Sequence, residues 1–333
     1  MTSRPPAALR QRILSLSPAQ QQLLRQQLEA QGIDWHGIVG SKPAAQPAPR
    51  PGRLPLSPSQ KHLWVIHQLY PETSAYNIAI TLQLVGDLDV LALTLSLQAI
   101  VQRHETLRTG FIRQDGQPHQ KIFPHLPLEI QVIDLRQLTD PSKEVRQWQK
   151  QLAHQPFDLA TPPLVRAHLL QIKDDQFEFV LVLHHLVADG WSRGVLLQEL
   201  ATHYRGYCTG QPVDLPPLSI QYADYVMRQQ KQSLQPDYQK HLAYWKQQLK
   251  NLTPLNLPRD HGSVRNATDF SSRTLTCTFS AEQTQAIKHL SQQCGVTLFM
   301  VLLAVFKLLL HRYSGQRDIA VGVPVAGRNA AVV

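Results

Sequence analysis

An apolar strand that ends on two adjacent histidines constrains this chain more than any other feature. Residues 177–183 (FEFVLVL) are mostly aromatic and branched aliphatic, which is typical of a buried strand. His184 and His185 follow directly, and Asp189 and Gly190 come next in a predicted turn. Because neighbouring side chains of an extended segment point to opposite faces, only one histidine can face a given cleft. An imidazole at such a position is suited to proton transfer near neutral pH.

Helix-like and strand-like segments alternate along the rest of the chain. Apolar residues at helical spacing predict helices at 57–69, 88–103, 192–207, 220–230, 236–250, 280–294 and 298–313. Short apolar or alternating runs predict strands at 76–85, 128–135, 164–172, 177–183, 273–279 and 319–325. The run 251–271, which contains prolines and glycine, predicts a crossing loop. Interleaved helices and strands indicate an α/β sandwich.

The first 53 residues differ in character from the rest. Ser17 and Pro18 are typical of a helix start and Gly32 of a helix end, so an amphipathic helix is predicted within residues 1–39. Residues 40–53 (GSKPAAQPAPRPGR) hold four prolines and predict an extended linker. The leader serves either as a solvated tail or as a docking element, and its residues leave both open.

Composition argues against several classes of protein. Cys208, Cys277 and Cys294 are odd in number and form no C-x-x-C pair, which disfavours a disulfide framework or zinc site and favours a reducing, cytoplasmic compartment. No apolar run reaches transmembrane length, so no membrane partner is expected. Residues 1–53 contribute +5 to the net charge of +9 (seven Lys/Arg against two acids), which leaves +4 for the rest. No basic stripe with aromatic platforms occurs, so nucleic acid is not an expected partner.

Five ordered blocks of sequence can be distinguished, and the third contains the histidine pair. They are 57–64 (SPSQKHLW), 103–111 (RHETLRTGF), 184–190 (HHLVADG), 222–225 (YADY) and 318–328 (DIAVGVPVAGR). In content and order they resemble the motifs of condensation domains of nonribosomal peptide synthetases, within the wider chloramphenicol-acetyltransferase-like superfamily. The third block has the family's form His-His-x-x-x-Asp-Gly, and the second matches R-H-E-x-L-R-T-x-F throughout. Ser59, His62 and Ala188 depart from the usual residues, and none removes a catalytic group.

The resemblance implies an α/β fold of two chloramphenicol-acetyltransferase-like sandwich lobes in a V, with the histidine motif at their junction. Residues 54–232 would form the first lobe. Residues 233–333 would begin a second lobe that is incomplete, because the sequence stops before the family's next motif, G-x-F-V-N-T. We therefore expect residues 1–333 alone to be poorly soluble and inactive in peptide-bond formation.

The resemblance also assigns roles to the two histidines. His185 is the expected catalytic residue, facing a tunnel between two entrances, and either a general-base or a positioning role is open to it. His184 is expected to point into the fold and to donate a hydrogen bond that fixes the loop. Because the two rings diverge and no third ligand follows at motif spacing, no metal site is expected.

Other motif residues are expected to support the site. Asp189 is expected to be buried and paired with a cation, either Arg328 or Arg103, which makes its role architectural. Gly190 is expected to permit close approach of the backbone. Arg103 and Arg108 are expected to form a capping and ion-pair cluster at a helix end.

By this resemblance the expected activity is peptide-bond formation, in which a carrier-bound acyl or peptidyl thioester is transferred to the amine of a carrier-bound aminoacyl acceptor. No cofactor would be bound by the domain itself, since substrates arrive on the 4'-phosphopantetheine of donor and acceptor peptidyl carrier domains, and an adenylation domain would be adjacent. The motifs favour the subtype that joins two L-residues, and a starter domain is also consistent. Alternatives are a stand-alone acyltransferase of the superfamily, an epimerising relative, and a non-catalytic recruitment or docking fragment.

Overall fold

The computed structural model describes residues 50–138, 140–213, 215–258 and 275–325. They divide into two compact units, and the division falls between Lys231 and Gln232. The predicted helix within 1–39, the linker up to residue 49, most of the crossing loop and Arg328 lie outside the described residues. The arrangement of two lobes in a V and their exact limits stay predictions.

The first unit alternates strands and helices. Its elements are α1 (Pro58–Leu69), β1 (Asn77–Val85), α2 (Val90–Arg103), a 3₁₀ turn (Glu105–Arg108), β2 (Thr109–Gln114), β3 (Gln117–Ile122), β4 (Ile130–Asp134), α3 (Pro141–His154), β5 (Val165–Lys173), β6 (Gln176–His184), α4 (Gly190–Thr209) and α5 (Tyr222–Ser233), the last of which runs past the division. The four strands predicted from periodicity in this unit and its predicted helices are all present, with ends shifted by no more than three residues.

A four-stranded sheet in the order β1-β6-β5-β4 forms the centre of this unit. Strand β6 pairs antiparallel with β1 on one side and with β5 on the other, whereas β4 runs parallel to β5. Residues 180–183 of this central strand are almost completely buried, so both faces of the sheet are covered there. Helices α2 and α4 contribute Leu93, Leu97, Leu196 and Leu200 to the same core. Each such side chain contributes about 2 kcal/mol through burial. The histidine pair is therefore at the end of an almost completely buried strand.

Strands β2 and β3, the 3₁₀ turn and helix α3 of the first unit were not predicted. Strands β2 and β3 form a separate hairpin that turns at Asp115 and Gly116, whose φ angles are 51° and 75°. This Asp-Gly pair is the signal of a two-residue hairpin turn, because both positions need left-handed backbone. Helix α3 begins with Asp140 as N-cap and Pro141 in the first turn, which is also a recognisable start signal.

The second unit contains α6 (Pro236–Gln248), α7 (Ala281–Gln293) and α8 (Leu298–Ser314). Ser280 caps α7 in a reciprocal pair with Gln283, and Gly295 follows that helix with a φ of +63°. Among the described residues no single helix is long and apolar enough to cross a membrane. Within the described ranges one pair of helices, α7 and α8, is together long and apolar enough, but the two are bent by 102°.

Two predicted strands of this unit are wrong over their described residues. Neither 275–279 nor 319–325 has strand structure. A strand requires a hydrogen-bonded neighbour, and in the described part of this unit no second extended segment pairs with either run. Apolar alternation alone was therefore an insufficient criterion here.

Candidate active site at the end of strand β6

The two histidines diverge where β6 ends. The backbone N–H of His184 donates to the Leu164 carbonyl at 3.0 Å, and that of His185 donates to the Tyr76 carbonyl at 2.8 Å. Both residues are thus held by backbone bonds to neighbouring strands or their ends. His184 is 2% exposed, whereas His185 is exposed. The structure therefore presents His185 to solvent or substrate and keeps His184 in the core.

His184 fixes the following loop as a hydrogen-bond acceptor. Its Nδ1 accepts from the backbone N–H of Leu186 at 3.1 Å, so the ring proton lies on Nε2. The prediction that this ring donates to the loop is wrong, because the strand end places an amide N–H opposite Nδ1. Burial, with the nearby rings of His67 and His185, lowers the pKa of His184 to about 4 and keeps the ring neutral.

The loop after His185 is held by side chains from two other sequence blocks. Gln60 donates through its side-chain amide to the Leu186 carbonyl at 3.2 Å. Thr106 donates through its hydroxyl to the Val187 carbonyl at 3.3 Å. The structure thus brings the blocks 57–64 and 103–111 onto the two carbonyls that follow His185. Neither Gln60 nor Thr106 was identified from the sequence as a site residue, although both lie inside recognised motifs.

Asp189 caps helix α4. Its Oδ1 accepts from the backbone N–H of Ser192 at 2.8 Å and from the Ser192 hydroxyl at 2.7 Å. The Ser192 hydroxyl in turn accepts from the Asp189 N–H at 3.2 Å, which completes a capping box. A carboxylate at a helix N-terminus is also stabilised by the helix dipole. Asp189 is half-buried rather than buried as predicted, since it lies at the helix start beside the exposed Gly190. The capping geometry supports an architectural role. The predicted pairing with Arg328 lies outside the described residues.

The side chain of Arg103 bonds to helix α4 and to the segment that follows it. Its Nε donates to Glu199 Oε1 on α4 at 3.1 Å, and its NH2 group donates to the Pro216 carbonyl at 2.6 Å. His104 Nε2 lies 2.7 Å from Glu199 Oε2. The partner of Arg103 is therefore Glu199 rather than the predicted alternative, Asp189, because the end of α2 packs beside the middle of α4.

Arg108 and Gly190 complete the set of predicted support residues. Arg108 donates to the Phe123 carbonyl and lies 3.9 Å from Glu105 Oε1, which is a local ion pair of the predicted kind. Gly190 begins α4, and a Cβ built there would meet no described atom within 4 Å. The prediction that Gly190 permits a close backbone approach is therefore wrong among the described residues.

Arg50 was not predicted as a site residue, yet it joins two of the motifs. Its Nε and NH2 groups donate to the two carboxylate oxygens of Asp224, at 2.9 Å and 3.0 Å, and NH1 donates to Glu105 Oε2 at 2.7 Å. Burial alone would raise the pKa of Asp224, but hydrogen bonds from Arg50 and from the Gln221 backbone together lower it. The buried acid of the YADY block was the available signal, because such a group requires a cation.

The described residues include no cluster of three or more His, Cys, Asp or Glu side chains that could hold a metal ion. Cys208, Cys277 and Cys294 are free and exposed. The site contains an exposed imidazole at the end of a buried strand. The loop beside it accepts hydrogen bonds at two successive carbonyls, those of Leu186 and Val187. That arrangement can position a polar hydrogen or accept a proton from a bound nucleophile.

Comparison with known proteins places these features in a family. The family model described as condensation domain matches residues 51–333. One of the linear gramicidin synthase proteins of Brevibacillus parabrevis is 43% identical over 309 residues, which cover 91% of this chain and 4% of that protein. Phosphinothricin tripeptide synthetase PhsC of Streptomyces viridochromogenes is 36% identical over 324 residues, which cover 96% of this chain and 29% of that protein. The chain thus spans a small part of these relatives.

Solved structures agree with the fold. The first condensation domain of the calcium-dependent antibiotic synthetase, in complex with a substrate analogue, has a TM-score of 0.69 at 26% identity. That match covers 84% of this chain and 66% of the solved one. A starter condensation domain of rhizomide synthetase also has a TM-score of 0.69, at 25% identity, and covers 84% and 62% of the two chains.

Proposed function

The chain belongs to the condensation-domain family, and from this premise we propose that it forms amide bonds between two carrier-bound substrates. The observation that carries the proposal is the exposed His185 at the end of a buried strand, followed by a loop that other motif residues fix at successive carbonyls. Its neighbour His184 is buried and neutral, so the two rings have separate duties.

The proposed reaction joins an amine to a thioester. The α-amine nitrogen of the acceptor attacks the carbonyl carbon of the donor thioester, the new C–N bond forms and the C–S bond breaks. The proton lost by the amine ends on the departing donor thiol. The imidazole of His185 either takes up this proton and returns it or holds the amine in the attacking orientation. Because both substrates are tethered, orientation alone contributes much of the rate.

The proposal includes the partners that deliver the two substrates. Each would be a peptidyl carrier domain whose 4'-phosphopantetheine arm bears the thioester, with an adenylation domain adjacent in the same synthetase. The relatives are synthetases of which this chain matches a small part, which supports a modular context. No cofactor bound by the domain itself is needed for the chemistry. The cytoplasmic location expected from the cysteine pattern also belongs to the proposal.

Reconstitution tests the proposed function. The longest natural polypeptide that contains these residues is mixed with one carrier loaded with an aminoacyl donor and another loaded with an aminoacyl acceptor. We expect mass spectrometry of the intact acceptor carrier to show the added donor residue, with loss of the donor from its own carrier. Transfer to a small free amine or alcohol but not to the loaded carrier would support a stand-alone acyltransferase instead. Absence of any transfer would contradict both activities.

A further inference from the structure

We propose that Arg50 is a positioning residue for the site, because it closes a hydrogen-bonded ring that braces the loop after His185. The ring consists of Arg50, Glu105, Gln221 and Asp224, and is called the Arg50 ring below. The positioning role in turnover rests on the proposed function, whereas the bracing of the loop does not. Arg50 lies before α1 and β1, in a segment predicted from sequence as an extended linker.

The Arg50 ring is closed at every corner. Arg50 binds both carboxylate oxygens of Asp224 in a fork and reaches Glu105 Oε2 with its third nitrogen, at 2.7–3.0 Å. Asp224 Oδ2 accepts from the backbone N–H of Gln221 at 2.9 Å. The side chain of Gln221 returns to the starting turn, because its Oε1 accepts from the Glu105 N–H at 3.1 Å. Charge-assisted, bidentate pairs of this kind hold geometry as well as supplying energy.

One route leads from the ring to the loop through the 3₁₀ turn. Glu105 is the first residue of that turn, and the next residue, Thr106, donates to the Val187 carbonyl at 3.3 Å. Gln221 also donates through Nε2 to the Arg103 carbonyl at 3.0 Å, so the ring holds the chain on both sides of His104. The position of the Thr106 hydroxyl is therefore fixed by the ring.

A second route leads through the start of α1. Tyr222, the neighbour of Gln221, donates through its hydroxyl to Ser57 Oγ at 3.1 Å. Ser57 forms a capping box with Gln60, and the Gln60 side chain donates to the Leu186 carbonyl at 3.2 Å. The two routes reach consecutive carbonyls of the loop that begins after His185. Loss of the ring should therefore loosen this loop before it loosens the sheet.

A nearby arginine provides a matched control. Arg53 pairs with Asp115 at 2.5 Å, but their side chains are 52% and 70% exposed. In contrast, the side chain of Asp224 is 3% exposed. An exposed pair contributes little, whereas a buried carboxylate that loses its cation loses much of its support. Arg53→Gln and Arg50→Gln thus remove the same charge from the same segment with different consequences for the loop.

Hydrogen exchange measures the loop directly. The Leu186 and Val187 amides bond to His184, and their exchange is followed by mass spectrometry of peptides that cover 184–189, in the full chain. We expect Arg50→Gln to speed amide exchange in 184–189 about tenfold or more and to leave amide exchange in α3 unchanged. Arg53→Gln should leave exchange in both segments at the wild-type rate. Arg50→Lys should fall between, because a lysine ammonium cannot form the two-pronged contact. If Arg50→Gln fails to fold, Glu105→Gln, which removes one arm of the ring, is measured instead.

Turnover supplies the second readout. In the carrier-based reaction we expect Arg50→Gln to lower kcat about tenfold, with little change in KM for the loaded carriers, since a displaced catalytic group affects the chemical step. A uniform rise in exchange across the sheet and the loop would overturn the proposal, since it would show a general stability role. Unchanged exchange in 184–189 would also overturn it. The exchange results can be interpreted even if the wild-type chain forms no amide. That failure would refute the proposed function, but it would leave the bracing of the loop to be decided by exchange alone.

Discussion

Acidification should destabilise the protein through one buried imidazole, that of His184. Its Nδ1 accepts from the Leu186 N–H, and burial is the main reason that its pKa falls from 6.5 to about 4. Protonation would add an N–H at Nδ1, the atom that now accepts from the Leu186 N–H. In the folded state the charged ring therefore loses this hydrogen bond as well as its hydration. The folded state therefore keeps the ring neutral at pH values where the unfolded chain already binds a proton.

The two pKa values fix the size and sign of the effect. One pKa unit corresponds to about 1.4 kcal/mol, so a shift from 6.5 to about 4 corresponds to about 3 kcal/mol. Above about pH 6.5 the ring is neutral in both states and adds no pH dependence. Between about pH 6.5 and about pH 4 the unfolded state binds more protons, so the free energy of unfolding falls as the pH falls. Below about pH 4 the loss from this group is complete.

His184→Asn isolates this effect, because an amide oxygen can accept from Leu186 without titrating. Urea unfolding of both proteins is followed by circular dichroism at several values between about pH 7 and about pH 4. We expect wild type to lose about 3 kcal/mol more than the variant over this range. Parallel pH profiles would show that the ring is not held neutral and would refute the reasoning.

Substitutions at three further residues test the surroundings of the site. Asp189→Ala should lower the free energy of unfolding by about 1 kcal/mol through loss of the α4 cap, and Asp189→Asn should lower it by less. An Asp189 variant that melts like wild type but loses all turnover would instead require a chemical role for this residue. Leu181→Ala, at a residue with no exposed surface, should cost about 2–5 kcal/mol in urea unfolding, and a cost below about 1 kcal/mol would contradict the placement of β6 at the centre of the core. Gly190→Ala should leave the free energy of unfolding unchanged or raise it by up to about 1 kcal/mol, since no described atom lies within 4 Å of a new Cβ. A large fall in the free energy of unfolding would contradict that geometry.

Periodicity and capping residues were enough to predict most of the first unit and the described helices of the second. Strand β6 was predictable because its apolar run is short, β-branched and closed by a turn, and α7 because Ser280 and Gly295 mark its ends. Hairpin β2–β3 was missed because its strands are largely polar, and the turn at Asp115 and Gly116, which could have indicated it, was not used. The runs 275–279 and 319–325 show the opposite error, because strand structure depends on a partner that local sequence does not specify.

In the candidate site, too, locally spaced residues could be predicted and long-range contacts could not. The motif identified His184, His185 and Asp189, since their spacing is local. The contacts that hold the loop were not predicted, because they join residues far apart in sequence, as in the 174-residue separation of Arg50 and Asp224. The hydrogen-bond role of His184 depended on where one backbone N–H points, which sequence does not give.

The rate of amide formation by His185→Ala is the measurement closest to the central claim, which is that His185 acts on the attacking amine. It is compared with wild type and with His125→Ala, which removes another exposed histidine of the same unit, using saturating loaded carriers in the longest natural polypeptide. We expect at least about a 100-fold lower rate for a folded His185→Ala protein and a wild-type rate for His125→Ala. A folded His185→Ala protein that forms the amide at nearly the wild-type rate would contradict the assignment.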